Sequence, residues 1–145
     1  MKNAMPSIAE DSIDRTKDKL ADLNREQMME GKNRFGEYLR PTYFEDPFFK
    51  SYQAAKNYAD WKDRITPSSL RPYGVPNLFI IGVFHGSLSP VVSGGKIIFT
   101  SDFYAEGEIK DKYNGLYGLN NEKKAIYINE SLRPAFNGLV RAKLR

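Results

Sequence analysis

The first thirty residues set the tightest constraint. Ala9, Ile13, Thr16, Leu20, Leu23 and Gln27 recur at four- and three-residue spacing, the period of one helix face. Ser7 followed by Glu10 fits a capping box and Gly31 fits a C-terminal stop, so a leading amphipathic helix is predicted within 1–31. The stripe is narrow, and Thr16 and Gln27 make it partly polar. Such a stripe rarely holds a helix alone. It needs a larger surface to pack on, and a neighbouring subunit would serve.

Residues 32–77 read as a helix-and-loop insertion. Asp46-Pro47 resembles an N-cap with proline at the first helical position. Phe49, Tyr52, Ala55, Ala59 and Trp61 then lie on one face of a second helix that ends near Asp63. That face is read as aromatic core packing in preference to a base-stacking platform. The 64–77 loop carries three prolines and a glycine. Its length suggests a segment that serves a function or a partner.

Residues 78–121 form the predicted β region. "GSLSPVV" and "KIIFTS" flank Ser93-Gly94-Gly95, a tight-turn signal, which places a central hairpin at about 84–101. Pro90 cannot donate a ladder hydrogen bond, so its strand is an edge. Gly82 and Gly86 allow bends, Phe84 and Leu88 supply core contacts, and Gly94 and Gly95 turn the chain. A further short strand is predicted over 106–110. Residues 122–145 make a closing helix with a basic tail, Ile128, Leu132, Phe136, Leu139 and Val140 lying on one side. Pro134 fits if a new turn begins near Ser131, and otherwise kinks the helix. The predicted fold class is α+β in a single domain, 1–145: a leading helix, a small antiparallel sheet, long loops, and a C-terminal helix packed on the sheet.

The side-chain inventory narrows the chemistry. The chain has no cysteine, which removes disulfides, thiolate nucleophiles and zinc–thiolate sites. Its one histidine, His85, stands two residues from Ser87, and on a strand the two share a face. The spacing is not the G-x-S-x-G elbow, and no orienting carboxylate is evident. His85 is therefore read as an interface residue or a satisfied hydrogen-bonding group. Asp102, Glu108 and Lys110 give the D…E-x-K order of magnesium nucleases, but the pattern is short, and charges on a solvated hairpin explain it better. "SGGK" lacks the phosphate-loop frame. No catalytic, cofactor, metal or small-molecule site is predicted. The first residues lack an apolar leader core and no run reaches membrane-spanning length, so the expectation is a chain that works or assembles in a cytosol, away from membranes.

Charge is unevenly placed. Arg133, Arg141, Lys143 and Arg145 follow Ser131 with no acidic residue among them, and the other 18 Lys and Arg match the 18 Asp and Glu. A cationic end of this kind complements a helix dipole, or meets phosphate or an acidic protein surface.

The order of several motifs carries a resemblance. "NREQMMEGKNRFGEYLRP" (24–41), "SYQAAK" (51–56), "NLFIIGVFHGSL" (77–88), "KYNGLYGLNNE" (112–122) and "YINESLRPAF" (127–136) follow one another along the chain. In that order they resemble the tail-completion, or virion morphogenesis, proteins of tailed phages, including those of the crAss-like group. Gly82, Phe84 and Ser87 stand at the places of the family's central run, and Ile81 departs from its usual threonine. The resemblance implies a structural protein, not an enzyme. It implies rings of six or twelve copies at the head-to-tail junction, bridging portal or adaptor to tail around the DNA channel. It places the protein in the virion neck, and in the host cytoplasm during assembly. Arg133, Arg141, Lys143 and Arg145 are then candidate contacts to partners or packaged DNA. The alternative is a small DNA-binding or packaging accessory protein using the terminal cations, and a magnesium nuclease stands third.

Overall fold

A computed structural model describes residues 4–66, 71–80, 82–93 and 96–144. Its first helix, α1 (Ala4–Met29), begins before Ser7, so Ser7 lies inside the first turn and is not the cap. The end matches expectation. Gly31 sits at φ 72, its N–H bonds the Met28 carbonyl, and the Lys32 N–H bonds the Gln27 carbonyl. This is the paired closure of a left-handed C-terminal cap. A β-carbon on Gly31 would also fall 2.6 Å from Val75.

The buried face of α1 is broader than its apolar stripe. Leu20, Leu23 and Gln27 are buried as predicted, and Asn24 and Met28 join them. The two amides grip one distant loop. Asn24 Nδ2 donates to the Leu116 carbonyl at 3.1 Å, and its Oδ1 accepts from the Gly118 N–H at 3.0 Å. Gln27 Nε2 donates to the Gly118 carbonyl at 2.9 Å, and its Oε1 accepts from the Asn120 N–H at 2.7 Å. Backbone groups that a buried loop would leave orphaned are thereby satisfied. The surface that α1 needs is supplied by its own chain.

The second helix corrects the reading of Asp46-Pro47. α2 spans Tyr52–Ile65, capped by Ser51, whose hydroxyl accepts from the Ala54 N–H at 3.1 Å. Asp46 instead accepts from the Phe48 N–H two residues on, which closes a local turn before the helix. The inward face also differs. Ala55 and Ala59 are buried, but the third inward residue is Lys62, while Tyr52 is 70% exposed. Tyr43, Phe49 and Tyr58 form the aromatic packing against the two alanines.

The predicted hairpin is present but shorter. Residues Val83–Ser87 form a one-turn helix, α3, and the strands are β1 (Ser89–Ser93) and β2 (Lys96–Thr100). Antiparallel pairing runs from Ser89 with Thr100 to Ser93 with Lys96. Ser93 and Lys96 are the last described pair, and Gly94 and Gly95, expected to turn the chain, lie outside the described residues. Gly82 caps α3 at φ 84, a conformation that favours glycine. Gly86 is not needed as a bend, because it lies within the helix and a β-carbon there would meet nothing. Phe84 and Leu88 are buried in the main cluster with Met28, Leu39, Tyr113 and Leu116. Arg25 of α1 fixes the base of the hairpin by donating to the carbonyls of His85, at 2.6 Å, and Leu88, at 2.9 Å.

The segment read as a strand over 106–110 is helical. α4 covers Glu106–Lys112, with Glu106 and Glu108 in its first turn and Lys110 and Lys112 in its last, in keeping with the helix dipole. The closing region runs as α5 (Asn121–Tyr127), one wide π turn (Ile128–Leu132) and α6 (Arg133–Lys143). The wide turn lets the helix pass Pro134, which has no N–H to donate. This helical run lies along α1, where Thr16 and Tyr127 share a hydroxyl bond of 2.7 Å. The closing run is expected on the sheet, but it packs on α1; Phe99 of β2 packs against the cluster of Leu20, Leu23, Leu119 and Tyr127, to which this run contributes Tyr127. The architecture is α+β.

If the amide grip organises the fold, Gln27→Leu keeps the volume but strands two loop backbone groups. The expected loss is about 2–5 kcal/mol in urea unfolding; a loss below about 1 kcal/mol contradicts the role given to the grip.

Candidate functional site

An open pocket of about 890 Å³ lies between α2, α3 and α4. Tyr43, Tyr58 and Tyr113 line it, as do Phe84 and Phe103. Burial raises the phenol pKa of Tyr58, and pushes that of Tyr113 up to about 12. The pocket's exposed lining is apolar as well: Ile80 is 50%, Val83 54% and Tyr104 93% exposed. Asp102, also exposed, adds a carboxylate to that lining.

One wall is built around a buried cation. Lys62 is 2% exposed and also lines the pocket. Its Nζ donates to Thr66 Oγ1 at 3.1 Å, to Asn77 Oδ1 at 2.5 Å and to the Phe79 carbonyl. All three acceptors are neutral, and they use all three N–H groups of the ammonium. Asn77 Oδ1 also accepts from the Phe79 N–H, so residues 77–79 wrap around the charge. Leu78 adopts φ 60 between them, a costly backbone for a bulky residue that persists where its surroundings over-determine it. Burial pushes the Lys62 pKa down to about 8, and the nearby Arg71 guanidinium acts in the same direction. Arg71 is buried too, donating to the carbonyls of Val75 and Thr66. Both cations thus sit at the carbonyl-rich C-terminal end of α2, where the dipole favours positive charge.

His85 and Ser87 do not form a base–nucleophile pair. Their segment is helical, so residues two apart point to different sides. His85 is buried, and its Nε2–H donates to the Asn77 carbonyl at 2.8 Å. Burial lowers its pKa, and Lys62 and Arg25 add to the effect. The hydroxyl of Ser87 bonds the Phe84 carbonyl at 2.6 Å and the Ser101 hydroxyl at 2.6 Å, tying the two sides of the hairpin base. Ser87 is therefore a fold-organising residue, and His85 a hydrogen-bonded interior one.

The D…E-x-K order also loses its premise. Glu108 and Lys110 lie on α4, where residues two apart do not face each other. No group of three or more metal-ligating side chains occurs among the described residues. Arg133, Arg141 and Lys143 are exposed on α6, without a carboxylate partner among the described residues. Arg145 lies outside them. No described helix is long and apolar enough to cross a membrane.

Comparison with protein-family models, with curated proteins and with solved structures finds no match. The motif order quoted above is thus a reading of the sequence alone. Those motifs contribute directly to the geometry: "NREQMMEG" supplies Asn24, Arg25 and Gln27, "NLFIIGVFHGSL" supplies the wrap around Lys62, and "GLYGLN" is the gripped loop. Asn24, Arg25, Lys62 and Asn77 carry no local sequence pattern that marks them as inward-facing polar groups, with one exception. For Lys62 a signal was available, since 55, 59 and 62 continue one helical face.

Lys62 has a pH signature. Its folded pKa lies below the ordinary 10.5, so the unfolded chain holds the proton through a range in which the folded chain releases it. Stability then rises with pH above about 8. The tyrosines act oppositely, because raised phenol pKa values cost stability above about 10. Unfolding free energy is expected to rise by about 1 kcal/mol between about pH 8 and 9.5, and Lys62→Met to flatten the rise. A wild-type profile that is flat or falling over that range rejects a buried, charged Lys62.

Proposed function

We propose that this chain is a structural virion protein that assembles as a homo-oligomeric ring at the phage head-to-tail junction, joining portal or adaptor to tail around the DNA channel. One observation carries the reading. A chain whose described buried polar side chains all find partners leaves large apolar side chains exposed at many positions, among them groups at the pocket and on the hairpin. Ile80, Val83 and Tyr104 are exposed at the first; Val91, Ile97 and Ile98 are 44%, 36% and 50% exposed on the second. Contiguous exposed apolar surface of this kind marks contact sites. Ring closure buries it through heterologous contacts. The motif order described above supports the same reading. Neck assembly takes place in the host cytoplasm and ends in the virion.

A second reading is favoured by the exposed cations of α6, which have no carboxylate partner among the described residues. In it the chain is a DNA-binding or packaging accessory, with Arg133, Arg141 and Lys143 against phosphate. Binding would then fall steeply with salt, with a log–log slope close to the number of phosphates neutralised. Replacing Arg141 and Lys143 by glutamine would reduce that slope by about two.

The ring reading is tested on particles. The protein is expected in purified virions, in a fixed ratio to the portal, and in a band of mass several times the monomer when mixed with portal or adaptor protein. A chain absent from virions and monomeric beside both partners would be incompatible with it.

A further inference from the structure

The hairpin carries two unlike faces. Pro90, Val92, Ile97 and Phe99 alternate onto the inner one, where Pro90 is buried and Phe99 packs on the core. Ser89, Val91, Ser93, Lys96, Ile98 and Thr100 make up the outer one, and all six are exposed. Val91 and Ile98 are direct cross-strand partners at its centre, so they form one apolar knob. Lys96 lies two residues from Ile98 on the same face, with no carboxylate partner among the described residues.

The pocket presents the complement. Its exposed apolar lining is Ile80, Val83 and Tyr104, and beside it stands Asp102, a carboxylate with no cationic partner among the described residues. Ser87 and Asp102, which line the pocket, flank the two ends of the hairpin. The strands leave that point and run for five residues, about 17 Å. The outer face of a hairpin therefore remains in water within its own chain. An apolar knob and an apolar pocket lining, and a cation and a carboxylate each without an oppositely charged partner among the described residues, are complementary surfaces.

We infer that the occupant of the pocket is the hairpin of a second copy of this chain, lying outer face down so that Val91 and Ile98 cover the apolar lining and Lys96 meets Asp102. Knob and pocket are different surfaces, so the contact is heterologous and repeats from copy to copy. The inference rests on the ring reading and specifies its contact. The two-stranded hairpin has no third strand beside it in the described chain, and the apolar pair gives it a docked position in the assembly.

Charge reversal tests the match in full-length protein. Lys96→Glu and Asp102→Lys should each weaken self-association by about three- to tenfold in sedimentation, and the double reversal should restore it. A second measurement uses the absence of cysteine from the chain. Chains carrying Ile98→Cys, mixed with chains carrying Val83→Cys, should form the mixed disulfide in preference to either self-linked dimer. Assembly that proceeds with both single reversals unaffected, or cross-linking dominated by the Ile98→Cys self-dimer, overturns this contact and leaves the ring reading standing. A wild-type chain that stays monomeric alone and with portal protein overturns both.

Discussion

Two side-chain amides on one helix hold this fold together across more than ninety residues of sequence. Asn24 and Gln27 make four hydrogen bonds to backbone groups of residues 116–120. The loop they grip has no secondary structure of its own and carries Leu116 and Leu119 into two separate apolar clusters. Without the amides its buried N–H and C=O groups would face apolar side chains, at about 1–3 kcal/mol for each unmet group. With them α1 becomes the common wall against which hairpin base, gripped loop and closing helix are placed. Arg25, on the same helix, holds the carbonyls of His85 and Leu88. One helix thus fixes both the floor of the core and the direction in which the hairpin leaves it.

The pocket wall is stiffened by a different device. Lys62 gives its three N–H groups to Thr66, Asn77 and Phe79, and His85 bonds the Asn77 carbonyl. A buried ammonium with a lowered pKa is also the signature of a reactive lysine. Here all three N–H groups serve to pin residues 77–79 to α2, including the left-handed Leu78. The wall keeps an apolar concavity in place, and the aromatic packing of Tyr43, Phe49 and Tyr58 adjoins it, since Tyr43 and Tyr58 also line the pocket. The geometry favours a surface prepared for docking.

Legibility in the sequence followed the range of the interactions. The leading helix and its glycine stop were readable because periodicity and cap lie within a few residues of each other. So was the hairpin, whose signal is local and whose two strands pair antiparallel. Asp46 misled because an aspartate before proline closes a short turn as readily as it caps a helix; Ser51 took the cap. "VFHGS" and "EGEIKDK" are too short for periodicity to distinguish helix from strand. The candidate site was the least legible part. Lysine and asparagine pattern with solvent in any composition-based reading, and the burial of Lys62, Asn77 and Asn24 depends on partners distant in sequence. Chance spacing made His85–Ser87 and Asp102–Glu108–Lys110 look chemical, and helical geometry separated them.

Amide hydrogen exchange on the full chain, measured dilute and concentrated, separates the grip within one chain from the proposed contact between copies. The N–H groups of Gly118 and Asn120 are predicted to be slow under both conditions, because the grip belongs to the single chain. The amides of residues 89, 91–93 and 96–100 and of the pocket-lining Ile80, Gly82 and Val83 are predicted to slow only on assembly. Fast exchange at Gly118 and Asn120 in the dilute chain would contradict the grip, and hairpin exchange unchanged by assembly would contradict the contact.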